Sequence, residues 1–481
     1  MKNWFDHIMF HTRAQPETPA IVMEDRVVTY GMLKIGIDRC ARRIAGLSAG
    51  GDAPVAVLVE NPIRNLTLCL ALFRTGIPSI SLAHGQIGIA NMTFAAILGD
   101  EAAKTIVNPG HRLIAIADDW FATDPIGANS LPDGFSDQRQ LCRMSLTSGT
   151  TGEPKVVTQT VEEIGRRTDT LLSFNWSRLL CLPGLSTSWG FWTVCATLAA
   201  GGTLCFSASP FQSIRMIELF SIDYVMAATE QLLALTRAAR TTGAYLHSLR
   251  IIEIAGGVPT AVLLENAMVH LCRDIYCTYG ASETGHMARA PARNVLSRPG
   301  LAGHVLPGVE IAIVDRSGSP CPPGAIGLVR SRLDPRWDGQ SSSAKTDAKG
   351  WIDLGDLGWM TEAGELYVLG RASDTAAVNA EGAAARQISP VYEVEHLLRL
   401  EWDASDAAAV LVNDGSGSTP LQFWIGIVDC KDASAEKLEA ILRGKGIDGA
   451  VRLFPFQSIP RGANGKVQRA QLKSLMLRQA Q

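Results

Sequence analysis

Several features are missing from this chain, and each absence closes off a class of function. No two of its ten cysteines form a CxxC pair, so neither a zinc ribbon nor a disulfide framework is expected and the thiols read as reduced. No GxxxxGK[ST] pattern occurs, which removes the Walker A loop. Excess positive charge is also lacking. The formal net charge is −3, so nothing draws the chain electrostatically to nucleic acid or to an anionic membrane. The first residues, Asp6 and His7 among them, lack the basic-then-apolar layout of a signal peptide, and a cytoplasmic location is expected. Charge is absent altogether between Arg178 and Arg215. Pro183, Pro210 and the Gly201-Gly202 pair interrupt that stretch, so it reads as a buried segment lining an apolar pocket and not as a membrane span.

A length of 481 residues with 47% hydrophobic and 19% charged residues describes a globular chain of at least two domains. Apolar runs on either side of Glu24-Asp25-Arg26 predict a hairpin over 19–31, and helical spacing follows to Leu47. Strands at Val55–Val59 and Ile80–Leu82 flank a helix at 62–75, an alternation that gives an α/β layered domain with a largely parallel sheet. Further strands are expected at Leu179–Leu182, Thr203–Phe206, Asp223–Met226, Arg250–Ile254 and Asp274–Thr278, with a helix at Trp189–Ala199. Residues 296–370 carry short strands between Gly/Pro/Asp turns and read as antiparallel and β-barrel-like. After Arg371 a small α+β unit is expected, with helices near 391–400 and 434–443, strands at 407–412 and 423–428, and a last helix after Lys466. The fold class is thus α/β: a large layered N-terminal domain (1–371) plus a small mobile α+β C-terminal domain (372–481).

Three glycine-bearing loops follow strands, where open α/β sheets hold ligands. The first is Leu146–Lys155, LTSGTTGEPK. Its glycines, Gly149 and Gly152, let successive N–H groups turn inward around an anion. Thr147, Ser148, Thr150 and Thr151 add hydroxyl donors, and Lys155 adds a mobile positive charge. The second is Ala255-Gly256-Gly257, where the backbone leaves room for a flat ligand. The third is Tyr279-Gly280-Ala281-Ser282-Glu283-Thr284-Gly285. Gly355-Asp356, Gly370-Arg371 and Ile459–Lys466 (IPRGANGK) complete the set.

In this order and spacing, the motifs resemble those of the adenylate-forming superfamily: acyl- and aryl-CoA synthetases, adenylation domains of peptide synthetases, and luciferases. The resemblance spans essentially the whole chain. It implies that a carboxylate attacks the α-phosphorus of ATP to give an acyl-adenylate, and that a thiol then displaces AMP. Carried over position by position, Thr147, Ser148, Gly149, Thr150, Thr151, Gly152 and Lys155 would hold the β/γ-phosphates. Tyr279, with Gly280, would stack on adenine against the backbone of Gly256 and Gly257. Ser282 would bond the α-phosphate and Glu283 would hold Mg²⁺. Asp356 would accept the ribose hydroxyls beside Arg371, and Lys466 would bridge the reacting anions.

The departures from the family pattern shape the expected substrate. Ser186 stands at or near a position often held by His. No Asp stands near Ser188 to pair an α-ammonium, which argues against an amino acid. The acid pocket is expected to be apolar, built from Ser186, Ser188, Trp189, Trp192, Ala255 and Ala281, and the acid itself apolar or aromatic. Leu354 replaces the usual Thr or Ser, the hinge residue is Ser373, and an Ala run lengthens the loop over 378–388. The expected activity is an ATP-dependent acid–thiol ligase using Mg²⁺, with CoA as acceptor. The alternatives are loading of an acyl-carrier protein's phosphopantetheine and, from another class, a non-catalytic nucleotide-binding protein.

Overall fold

The hairpin near the N-terminus forms between Pro19–Met23 and Arg26–Thr29, and the helix Tyr30–Ala45 grows directly out of it. Thr29 caps that helix by accepting from the Met32 N–H at 3.2 Å. Its Leu33, Ile37, Cys40, Ala41 and Ile44 form one buried stripe at helical spacing. The structure is a computed structural model that describes residues 3–46, 53–83, 86, 92–108, 110–122, 131–132, 134–147, 155–172, 176–333, 346–347, 349–372, 390–412, 421–430, 433–444, 449–461 and 467–480.

By compactness the chain divides into two units, one of Met1–Met226 with His247–Leu249, the other of Ala227–Leu246, Arg250–Asp334 and Lys345–Gln481. The first unit contains a six-stranded sheet ordered Leu113–Ala115, Ala96–Gly99, Val55–Leu58, Ser79–Ser81, Leu141–Thr147, Lys155–Thr160. All its pairings are parallel except the last. Val55–Leu58 is buried along its whole length, as a strand covered on both faces must be. The same unit pairs Arg178–Cys181 with Thr203–Cys205 and Tyr224–Ala228, all parallel. The helix Ser188–Ala199 connects the first two of these strands and is buried almost all round. No helix among the described residues is long and apolar enough to cross a membrane.

In the second unit Ile251–Ala255 runs parallel to Asp274–Ala281, which pairs antiparallel with Gly285–Pro291. The strands then continue in the order Leu301–Val305, Glu365–Arg371, Ile352–Met360, Gly327–Leu333, Val309–Val314, all antiparallel. This corrects the barrel-like expectation. No ladder joins Val309–Val314 back to Leu301–Val305 among the described residues, so the sheet stays open. Beyond it, Leu421–Val428 is central to a three-stranded sheet with Asp406–Val412 and Gly449–Pro455. Helices Pro390–Leu400 and Ala435–Gly444 cover one face and Arg469–Ala480 the other, which gives the expected α+β layering. Pro390–Leu400 also packs on Thr229–Thr242 and Ala261–His270. Charged and polar pairs mark that contact: Arg399–Glu230 at 2.5 Å, Asn266–Glu401 at 2.9 Å, and Thr260 with the buried His396 at 2.7 Å.

Candidate functional site

In the first unit, Leu141–Thr147 and Lys155–Thr160 form an antiparallel hairpin with Thr147 opposite Lys155. The glycine–hydroxyl loop is the connection between them. Ser148, Gly149, Thr150, Thr151 and Gly152 lie outside the described residues, as does the side chain of Thr147. Lys155 is exposed at the mouth of the hairpin. The strand beneath is fixed by burial of Cys142 through Leu146. The following helix, Val161–Leu172, is fixed by a capping box: Thr160 N–H donates to Glu163 Oε2 at 2.7 Å, and Glu163 N–H donates to Thr160 Oγ1 at 3.2 Å.

The expected acid pocket is built from the turn after Arg178–Cys181 and the start of Ser188–Ala199. Ser186 lines a cavity of about 410 Å³ together with Asn65, Ser81, Leu82, Pro183 and Leu185. Ser188 is buried, and its hydroxyl has no partner among the described residues. Trp192 is buried and Trp189 partly so. Two guanidiniums pack on aromatic rings of that helix. The Arg167 guanidinium lies 4.4 Å from the Trp192 ring centroid, and that of Arg143 lies 4.0 Å from the Phe191 ring. The uncharged run supplied the aromatics, but the two cations reach them from Leu141–Thr147 and Val161–Leu172, a proximity that only folding creates.

The second unit gathers the expected nucleotide residues. Ala255 ends its strand, and Gly256 follows with φ +81, a conformation that favours glycine. A Cβ at Gly257 would lie 2.8 Å from Thr229 Oγ1, whose hydroxyl is buried without a partner among the described residues. The Tyr279 motif is less of a loop than expected. Its strand runs on to Ala281, with a register shift between Tyr279 and Gly280, and the turn proper is Ser282-Glu283-Thr284. Pairing with Gly285–Pro291 satisfies the backbone of Tyr279, Gly280 and Ala281, which is why the ladder wins over the loop. Ser282 and Glu283 are partly exposed; Thr284 is buried, its hydroxyl without a partner among the described residues.

Asp356 and Arg371 are register partners on adjacent strands. Arg371 Nε lies 3.4 Å from Asp356 Oδ1, and its Nη1 donates to the Leu354 carbonyl at 2.5 Å. Tyr279 Oη donates to Asp356 Oδ2 at 2.7 Å. Burial, and then the Asp356 charge, push the Tyr279 hydroxyl well above its ordinary range, so it stays a neutral donor. Two residues expected to touch base and ribose thus meet directly across strands. Lys466 and Ser373 lie outside the described residues; Arg461 and Val467, which bracket the former, pair as an isolated bridge.

Two residue groups were not anticipated from the sequence. Glu253 is buried and holds Arg289 at 2.7 Å while accepting from Thr278. Arg143 is the largest fully buried side chain. The one signal for it was a lone charge inside the apolar run LCRMSL. Burial pushes the thiols of Cys40, Cys181 and Cys205 up to about 12, which leaves these three poor nucleophiles.

The described residues hold no cluster of three metal-ligating side chains. They fit Mg²⁺ brought by a nucleotide, which asks for one or two carboxylates plus phosphate oxygens. Glu283 offers one such carboxylate, next in sequence to Thr284, whose hydroxyl has no partner among the described residues.

A family model described as AMP-binding enzyme matches residues 10–332. The chain is 25% identical to the fatty acid–[acyl-carrier-protein] ligase ScoC of Streptomyces coeruleorubidus, over 96% of this chain and 94% of that one. It is 24% identical to the 2-succinylbenzoate–CoA ligase of Listeria monocytogenes, over 98% and 99%. Among solved structures, the o-succinylbenzoate CoA synthetase (MenE) of Bacillus subtilis, in complex with its acyl-adenylate intermediate, superposes with a TM-score of 0.78. That match has 22% identity and covers 98% of both chains.

Proposed function

The chain belongs to the AMP-binding enzyme family, and from that premise we propose that it is an AMP-forming acid–thiol ligase. In this reading it activates a carboxylic acid with ATP and Mg²⁺ and passes the acyl group to the thiol of CoA, in the cytoplasm. The observation that carries it is the Tyr279–Asp356–Arg371 cluster beside the Gly256-Gly257 turn's own strand system: a neutral aromatic donor, a carboxylate and a cation held within hydrogen-bonding reach. A carboxylate in that setting accepts the two hydroxyls of a ribose, and the tyrosine ring offers a face to a base. Bound nucleotide supplies the phosphorus at which the acid is activated. Around it Ser282 binds the α-phosphate, Glu283 orients the cation, and Thr147, Ser148, Gly149, Thr150, Thr151, Gly152 and Lys155 hold the outer phosphates. Lys466 offsets the charge that builds as two anions meet. The functional boundary falls after Arg371, with Ser373 as hinge and 372–481 as the moving part.

The acid enters near Ser186 and Ser188. Relatives that act on 2-succinylbenzoate support CoA as acceptor; the fatty acid–carrier-protein ligase supports the alternative, a carrier's phosphopantetheine. The test is pyrophosphate release over short, branched, aromatic and long-chain acids, followed by thioester formation with CoA or with a phosphopantetheinylated carrier. Acid-dependent release with a thioester product is the expected result. ATP binding with no release for any acid would leave only the non-catalytic nucleotide-binding reading.

A further inference from the structure

Arg143 carries a buried charge, and none of its hydrogen-bond partners among the described residues is a carboxylate. Its side chain is wholly enclosed, and its partners are neutral. Nη1 donates to Ser79 Oγ at 3.1 Å and to Cys69 Sγ at 3.2 Å. Nη2 donates to Ser81 Oγ at 2.9 Å and to the Leu185 carbonyl at 2.7 Å. The face of the guanidinium lies on Phe191. Nε is buried and makes no bond among the described residues. Enclosing an unpaired cation is costly, and breaking any of these contacts would make it costlier. Among the described residues the charge-assisted donors fall on a hydroxyl pair, a sulfur and one main-chain carbonyl, which are held more tightly than a neutral donor would hold them.

Two of those partners, Ser81 and Leu185, also line the 410 Å³ cavity. The chain of bonds continues along its wall: Ser81 Oγ donates to Asn65 Oδ1 at 2.7 Å, and Asn65 Nδ2 to the Val59 carbonyl at 2.9 Å. The turn bearing Leu185 and Ser186 is held a second time. Thr187 Oγ1 donates to the Gly184 carbonyl at 2.8 Å and accepts from Gly190 N–H at 3.0 Å. A Cβ at Gly190 would lie 2.4 Å from the Gly184 oxygen, so this turn rests directly on helix backbone. Arg143 itself stands four positions before Thr147, on the strand that enters the glycine–hydroxyl loop.

We propose that Arg143 is a positioning residue for the acid-binding turn: from behind the cavity it ties the 182–187 turn to the Ser79–Ser81 and Leu141–Thr147 strands, and so sets acid affinity without touching the acid. This rests on the ligase reading for what the cavity holds, but not for the tie itself. Lysine keeps the charge but lacks the planar fork, and methionine keeps much of the volume but none of the donors.

The experiment compares the parent with Arg143→Met and Arg143→Lys by hydrogen exchange followed by peptide mass, and by steady-state kinetics. The kinetics use benzoate, 2-succinylbenzoate, butyrate and decanoate as probe acids. In Arg143→Met, amides of 182–190 are expected to exchange about tenfold faster or more, while those of 55–58 and 203–205 keep their protection. The KM for the best probe acid is expected to rise about tenfold to a hundredfold, with the KM for ATP changing by less than about twofold. Arg143→Lys should fall between parent and Arg143→Met in both assays, and it decides the matter alone if the methionine variant does not fold. Unchanged exchange at 182–190, equal acceleration across all these segments, or a joint rise in both KM values would overturn the proposal. If the parent turns over none of the probe acids, the ligase reading is what has failed for them, and the exchange pattern still decides whether Arg143 holds the turn.

Discussion

Replacing Tyr279 with phenylalanine separates two roles that the nucleotide half of the site merges. The hydroxyl donates to Asp356 Oδ2 at 2.7 Å, and Asp356 is only 13% exposed. A hydrogen bond to a charged acceptor contributes about 1.5–3 kcal/mol, so Tyr279→Phe should lower unfolding stability by that amount. Removing the hydroxyl also frees one carboxylate oxygen that a ribose would otherwise have to win from it. Nucleotide affinity should therefore hold within about twofold, because the aromatic ring, to which the proposed site gives the base, is unchanged. Asp356→Asn keeps the shape and removes the charge. It should cost similar stability through Tyr279 and Arg371, and it should weaken nucleotide binding by about tenfold to a hundredfold. In the double variant the stability losses should be non-additive by about 1.5 kcal/mol or more, since both report one bond. Urea unfolding measures the first quantity and titration calorimetry with ATP the second. A Tyr279→Phe protein that loses nucleotide affinity as severely as Asp356→Asn would refute the competition argument, as would strictly additive stabilities.

Burial holds His396 down to about 4 from its ordinary 6.5, against the upward pull of Glu230, with Arg399, Arg469 and Arg461 adding to the depression. The unfolded chain therefore takes up a proton that the folded one refuses, and stability is lost as pH falls from about 6.5 towards 4, by at most about 3 kcal/mol. His396→Gln, which keeps a partner for Thr260, should flatten that part of the stability–pH curve; an unchanged slope would assign it to other groups. Lys466→Ala should cut acyl-adenylate formation by about a hundredfold to a thousandfold while ATP still binds, read as single-turnover pyrophosphate release. Glu283→Gln should raise the Mg²⁺ concentration needed for half-maximal rate, and a titration that matches the parent's would remove Glu283 from the cation site. Ser373→Pro, which fixes φ near about −65°, should slow thioester formation while leaving adenylation largely intact.

Local chemistry alone settled much of this protein. Val55–Leu58, Tyr30–Ala45, Ser188–Ala199 and Val309–Val314 appear within a few residues of where apolar runs and turn residues put them, because the length and spacing of an apolar run are local properties of the sequence. The family and its motifs were equally legible, since the glycine, hydroxyl and charge spacing of Leu146–Lys155, Tyr279–Gly285 and Gly355-Asp356 is written in consecutive residues. What needed the tertiary structure was every property that belongs to a pair of distant positions. Asp356 and Tyr279 are far apart in sequence and are joined by a hydrogen bond only because their strands bring them together. The aromatic rings of Ser188–Ala199, in a stretch uncharged in sequence, meet two guanidiniums from neighbouring elements. In the sequence Arg143 is a lone charge between apolar residues. Only folding shows that Ser79, Ser81 and Leu185 supply the acceptors that let it stay there. A buried charge is tolerated according to what surrounds it in space, and sequence neighbours do not determine those surroundings.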